Sequence, residues 1–156
     1  MTTNHATESM DAFRRIVQAL RSSHRAASDV DLTGAQLFVL STLARVGRPM
    51  GVNELAEETR TDQSTVSVVV GRVVERGLVK RKRSATDTRR VELSLTARGR
   101  AVVRKTPATV AQQRLADALA RLSRADAAAL SRILKKVVGL MGEEEAPARM
   151  LFDEPA

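Results

Sequence analysis

Asp62-Gln63-Ser64-Thr65-Val66-Ser67-Val68-Val69-Val70-Gly71-Arg72-Val73-Val74-Glu75-Arg76-Gly77 is the stretch on which the fold turns. Six β-branched valines, at 66, 68, 69, 70, 73 and 74, favour a strand by propensity alone. The spacing argues the other way. Val66, Val69, Val70 and Val73 recur at three, four and seven residues, and Ser64, Thr65, Ser67, Gly71, Arg72 and Glu75 fall mainly off that stripe. Asp62 can accept from an orphan N–H at the start, and Gly77 can take the left-handed cap at the end. The stretch therefore reads as an amphipathic helix over Gln63 to Arg76.

Upstream, Thr33-Gly34-Ala35-Gln36 fits a capping box and opens a helix carrying Leu37, Leu40 and Leu43, which Gly47-Arg48-Pro49 stops. Gly51 to Thr59 reads as two helical turns, with Val52, Leu55 and Ala56 on one side. Ser9 to about His24 reads as a further helix with Ser9 as N-cap and a stripe of Met10, Phe13, Val17 and Leu20.

Downstream the period changes. Val91, Leu93 and Leu95 alternate with Glu92 and Ser94, so Arg90 to Leu95 reads as a strand. Leu78 to Lys82 can pair with it across a basic loop from Arg83 to Arg89, giving a hairpin with a cationic tip. Thr96 caps an alanine-rich helix from Ala97 to about Leu119, which Pro107 should kink or divide. Ser123-Arg124-Ala125-Asp126 fits a second capping box. It opens a final helix with a broad apolar face of Leu130, Ile133, Leu134, Val137, Val138 and Met141.

The charge is as uneven as the pattern. The chain of 156 residues carries a formal +8, yet Arg60 to Lys105 alone nets +9, with −1 before it and 0 after. Such concentration points to a polyanionic partner, a solvated basic face being the alternative. Two short helices joined by a tight turn and followed by a basic hairpin suit duplex DNA. The second helix of the pair fits the major groove, the hairpin reaches toward the minor groove, and phosphates meet the cations beside them. Unpaired N–H groups around Asp62 to Ser64 are expected to offer a phosphate site.

Other classes fall away on composition. There is no Cys, so no thiol nucleophile, disulfide or Cys-based zinc site. His5 and His24 are unsupported by any metal-ligand spacing, no nucleophile–base pair or Gly-rich phosphate loop is evident, and neither a cofactor nor enzymatic activity is expected. Three Phe with no Tyr or Trp argue against stacking on single strands. The absence of a signal-peptide pattern or a long apolar run gives the expectation of a cytoplasmic protein without a membrane partner.

At this point the residues carry a family likeness. Leu32-Thr33-x-x-Gln36-x-x-Val39-Leu40, then Asn53-Glu54-Leu55-Ala56, then Ser67-x-x-x-Gly71-Arg72-Val73-Val74-Glu75-Arg76-Gly77-Leu78-Val79-Lys80-Arg81, then Asp87-x-Arg89-x-x-x-Leu93-x-Leu95-Thr96-x-x-Gly99 resembles the MarR family of bacterial transcriptional regulators. Each piece recurs elsewhere, but the ordered set is specific. The resemblance implies a mainly α fold with a small β-hairpin wing, a winged helix-turn-helix joined to a helical dimerisation region. Residues 1–30 would supply an N-terminal dimerisation helix, 31–100 the DNA-binding domain, 101–142 the C-terminal dimerisation helices and 143–156 a flexible tail.

It implies further that the chain is a homodimeric repressor on a near-palindromic operator, its interface formed by Met10, Phe13, Val17, Leu20, Leu130, Ile133, Leu134, Val137 and Met141. Gln63, Ser64, Thr65, Ser67, Val68 and Arg72 would face DNA from the recognition helix. Val68 departs from relatives that are often polar or basic there, which suits either a thymine methyl or a weaker reader. In the wing, Arg89 would enter the minor groove, Arg81, Lys82, Arg83 and Arg90 would contact phosphates, and Asp87 would orient an arginine side chain, Arg72 or Arg89. Many such regulators release DNA when a small anionic or aromatic ligand enters the cleft between the dimerisation helices and the winged domain. Arg14, Arg15, Arg21, His24 and Arg25 are candidates to pair with it, a solvated helix face being the other reading. An architectural protein with little sequence preference is the alternative function.

Overall fold

The valine-rich stretch is a helix. The computed structural model describes residues 4–106, 110–143 and 149–153, and within them the chain runs α1 (His5–Ser28), α2 (Gly34–Val46), α3 (Val52–Thr59), α4 (Gln63–Glu75), β1 (Val79–Arg83), β2 (Val91–Leu95), α5 (Ala97–Arg104), α6 (Ala111–Ala120) and α7 (Arg124–Leu140). The architecture is mainly α with a two-stranded wing, as the pattern implied.

On α4, Val66, Val69, Val70 and Val73 are fully buried and Val68 is 52% exposed, so one stripe meets the core. Burying each valine stabilises by roughly 1.5–3 kcal/mol, against a helix-propensity cost below about 0.7 kcal/mol per residue. Burial decides. The core against which the stripe packs is Leu37, Leu40 and Leu43 of α2, Leu55 of α3, Leu78 and Leu93.

The caps do what the sequence asks of them. Thr33 Oγ1 accepts from Gln36 N–H at 3.2 Å while Gln36 Oε1 accepts from Thr33 N–H at 3.2 Å, and Gly47 closes α2 at φ +72°. The Leu-x-Leu-Thr-x-x-Gly piece also acquires a physical reason. Thr96 Oγ1 accepts from Gly99 N–H at 3.0 Å, and a Cβ on Gly99 would lie 2.1 Å from the Leu78 carbonyl oxygen. Only a glycine lets α5 press against the root of the hairpin at this point.

The hairpin is antiparallel, with Val79 opposite Leu95, Arg81 opposite Leu93 and Arg83 opposite Val91. A short third edge was not foreseen. Met50 and Leu93 exchange both backbone hydrogen bonds, at 3.2 and 2.8 Å, so the loop before α3 anchors the inner strand of the wing.

Several expectations need correction. Helix α1 starts at His5, because the Asn4 side chain accepts from Thr7 N–H and Glu8 sits favourably in the first turn, so Ser9 is interior. The helix from Ala97 is divided, one of the two outcomes expected at Pro107: α5 stops at Arg104 and α6 starts at Ala111, with Pro107 itself outside the described residues. At Ser123 the cap forms but the reciprocal box does not. Asp126 Oδ2 accepts from the serine hydroxyl at 2.6 Å instead of from a backbone N–H.

The largest correction concerns the segment expected to be a flexible tail. Met150 is buried in the core, Leu151 O accepts from Gln112 Nε2 at 2.8 Å and Phe152 O accepts from Ala35 N–H at 3.1 Å. Residues 149–153 are thus packed against α2 and α6. Helix α7 is the opposite: none of its residues is buried, and Ile133, Val138, Leu140 and Met141 are exposed.

Candidate nucleic-acid interface

Two exposed surfaces meet at the turn after α4. The first is the outer face of α4 itself, where Gln63, Ser64, Val68 and Arg72 are exposed and Thr65 and Ser67 half-buried. The second is the wing, where Lys80, Arg81, Lys82 and Arg83 are exposed along β1 and Asp87, Arg89 and Arg90 are exposed beyond it. β1 packs against α4, and Gly77 at φ +67° makes the link.

The N-terminus of α4 is locked by Asp62. Its Oδ1 accepts from Thr65 N–H at 2.9 Å, its Oδ2 from the Thr65 hydroxyl at 2.6 Å, and the Ser64 hydroxyl also donates to Oδ1. These hydrogen bonds, those from Ser64 and then Thr65 foremost, hold the Asp62 carboxyl down at about 2. Two consequences follow. The anion at this helix end is the protein's own, which corrects the expectation of a ready phosphate site there. Ser64 and Thr65 meanwhile retain acceptor lone pairs toward solvent, because their hydroxyl protons are committed to Asp62.

The wing tip is shaped by backbone bonds. Ser84 N–H donates to Arg90 O and Arg90 N–H to Asp87 O, each at 2.9 Å. Asp87 Oδ1 accepts from Arg89 N–H at 3.0 Å. Its carboxylate therefore builds the turn that presents Arg89, by an Asx-type bond, and does not orient the side chain of Arg72 or Arg89 as expected.

The cations divide into two sets. Arg45 pairs with Glu58, Arg48 with Glu54, Arg72 with Asp153 and Arg76 with Asp31. The Arg48 guanidinium, by its hydrogen bond, holds Glu54 below the usual carboxylate range against the opposing effect of desolvation; Arg90 acts in the same direction from further away. Lys80, Arg81, Lys82, Arg83 and Arg89 are in no ion pair among the described residues. On the wing these cations stand side by side, four of them consecutive along β1. Lys80 belongs to this set and was absent from the residues singled out by sequence, although its outward position follows from the alternation with buried Val79.

Arg72 is the candidate that the structure removes from the free set. Its Nη1 donates to Asp153 Oδ1 at 2.7 Å and to Asp153 O at 3.3 Å, a partner 81 residues away that no local pattern reveals. Of the apolar residues expected at an interface between copies, Met10, Phe13, Val17, Ile133, Val137 and Met141 are exposed and Leu130 and Leu134 half-buried. Leu20 is different, being 6% exposed within the single chain, where α1 packs on α6 and α2. Among the described residues there is no cluster of acidic, His or Cys side chains able to hold a metal ion, and no helix is long and apolar enough to cross a membrane.

A helix pair, a strand-anchored hairpin and a cationic wing define a winged helix-turn-helix protein. Residues 30–90 match the model of the MarR family. Over 68 residues the chain is 37% identical to the HTH-type transcriptional repressor MdtR of Bacillus subtilis (strain 168), a match spanning 44% of this chain and 43% of that protein. The likeness to solved structures runs further. Apo MarR from E. coli superposes with a TM-score of 0.57 at 26% identity, covering 82% of this chain and 95% of its own. A mutant MarR from E. coli complexed with operator DNA gives 0.59 at 25% identity, covering 88% and 99%.

Proposed function

We propose that this chain is a transcriptional regulator that binds double-stranded DNA in a sequence-specific manner, as a homodimeric repressor on a near-palindromic operator in the cytoplasm. The observation that carries the reading is the wing. Five cations there are in no ion pair among the described residues, beside a recognition helix whose outer face holds small polar groups and Val68. Free cations release counterions from phosphate, and the polar groups with Val68 meet base edges in the major groove. Arg81, Lys82, Arg83 and Arg90 contact phosphates, and Arg89 enters the minor groove. Operator DNA bound to a similar fold in E. coli MarR supports the assignment.

The homodimer rests on α1 and α7. Their uncovered apolar residues, including Met10, Phe13, Val17, Ile133, Val137 and Met141, recur at helical spacing and so share a side of each helix, as an interface requires. Release by a small anionic or aromatic ligand rests on a cleft of about 410 Å³ lined by Phe38, Leu115, Leu119, Met150 and Leu151, beside the α3–α4 turn. That volume lies in the usual range of small-molecule sites.

Fluorescence anisotropy against duplex from the gene's own upstream region and a scrambled duplex of equal composition, over a salt series, tests the reading. The native duplex should win by about 10³ or more at physiological salt. Equal affinities with a steep salt slope would favour an architectural protein instead.

A further inference from the structure

Residues 150–153 lie across four helices and reach the recognition helix. Met150 is 5% exposed and belongs to the core. The Phe152 ring stacks on His24 of α1, with centroids 4.7 Å apart and planes 15° from parallel, and Phe152 O accepts from Ala35 N–H at the start of α2. Asp153 then grips Arg72 of α4 through both its side chain and its carbonyl.

We infer that this segment is an intramolecular strap that withholds Arg72 from DNA and links the dimerisation helix α1 to the recognition helix, so that its release raises affinity for duplex. The inference rests on the DNA-binding reading above. A guanidinium paired with a carboxylate and one paired with phosphate are competing states, because both anions seek the same N–H donors. At 100° per residue, Arg72 lies on the flank of α4 shared by Thr65, next to the outermost line through Ser64 and Val68. It is close enough to the groove-facing edge to serve either partner.

The fit is incomplete in ways that favour release. Phe152 holds a left-handed φ of +57°, a conformation that side chains rarely adopt. His24 Nδ1 and Gln112 Oε1, both beside the strap, are buried without a hydrogen-bond partner. The α2 backbone also leaves no margin: a Cβ on Gly34 would lie 2.8 Å from Phe152 Cβ. Strain, orphaned polar atoms and a tight cradle mark Phe152 and Asp153 as contacts that a competing ligand can displace while Met150 stays in the core.

That cradle supplies a test free of charge artefacts. Gly34→Ala should expel Phe152 while leaving every charge in place, and Asp153→Asn should free Arg72 directly. Full-length wild type, both variants, Arg72→Ala and the Arg72→Ala/Asp153→Asn double variant are compared by anisotropy on one labelled duplex over a salt series. Each single release should tighten binding by about three- to fivefold, the range an exposed ion pair supports, because the apparent Kd scales inversely with the competent fraction. The salt slope should steepen by about 0.9, one extra phosphate contact. Asp153→Asn should give no gain in the Arg72→Ala background.

Unchanged affinity in both Gly34→Ala and Asp153→Asn overturns the strap, as does an equal gain from Asp153→Asn with or without Arg72, which would be charge alone. Failure of wild type itself to bind any duplex overturns the DNA-binding reading, and is distinguishable because the variants then have nothing to improve.

Discussion

The winged segment and the helices that flank it use their apolar residues in opposite ways. Between α2 and β2 the leucines and the inward-facing valines are buried by the chain itself, down to full burial of Leu37, Leu40, Leu55, Val66, Val70 and Leu93. Helix α7 buries none, and α1 leaves Met10, Phe13, Ile16 and Val17 exposed along one side. The charges within the winged segment divide again. Arg45, Arg48, Arg72 and Arg76 find acids, whereas Lys80, Arg81, Lys82, Arg83 and Arg89 of the wing are in no ion pair among the described residues. One region is complete in apolar packing and open in charge; the other is open in packing. The first openness fits a polyanion and the second fits another copy of the same helices.

The sharpest way to break this contrast is to charge the open face. Leu134→Asp together with Val137→Asp should abolish the dimer, read as sedimentation at the mass of one chain with the winged segment still folded by circular dichroism. A persisting dimer would place the interface elsewhere. Next in size, Leu40→Ala should cost about 2–5 kcal/mol in urea unfolding through the cavity it leaves. By contrast, Ile133→Ala should cost less than about 0.5 kcal/mol in the isolated monomeric chain, where the side chain is half exposed, and far more when a second copy covers it. Comparing the two losses at low and high protein concentration sharpens the distinction directly.

On the charged side, Arg89→Ala should weaken operator binding by about 10- to 100-fold and leave the dimer intact, measured by anisotropy and light scattering on one sample. The smallest effect is expected at Asp62. Its carboxyl is held at about 2 when folded, below the usual value near 3.9, so its contribution is fully present above about pH 4 and is lost as pH falls through about 2. The melting temperature of Asp62→Ala should therefore lie below wild type at neutral pH, and the gap should close in acid. A pH-independent gap would remove the cap from the account.

Much of the winged segment was legible because its determinants are local. The Val66, Val69, Val70 and Val73 stripe, the Thr33–Gln36 box and the Thr96 cap each lie within one or two turns, and each forms. The free cations were legible in part, since four consecutive Lys and Arg after a single buried Val79 are exposed on both faces of β1. What escaped was long-range. Nothing near Met50 announces its pairing with Leu93, and nothing near Leu151-Phe152-Asp153 announces a packed segment holding Arg72. Asp87 was assigned to a side chain because its residue type suits arginine, yet its nearer choice was the backbone N–H two residues on. Short polar side chains in turns satisfy the chain locally before they serve a partner. Leu20 shares the periodicity of Met10, Phe13 and Val17 but is covered by its own chain, because α1 meets α6 and α2 only toward its C-terminal half.

Hydroxyl-radical footprinting of the bound upstream duplex tests the central claim most directly, since it reads the wing and the second copy together. Two protected stretches related by near-palindromic sequence, their centres about 34–36 Å apart along the helix axis, are the predicted result. A single protected stretch, or uniform protection along the duplex, would contradict it.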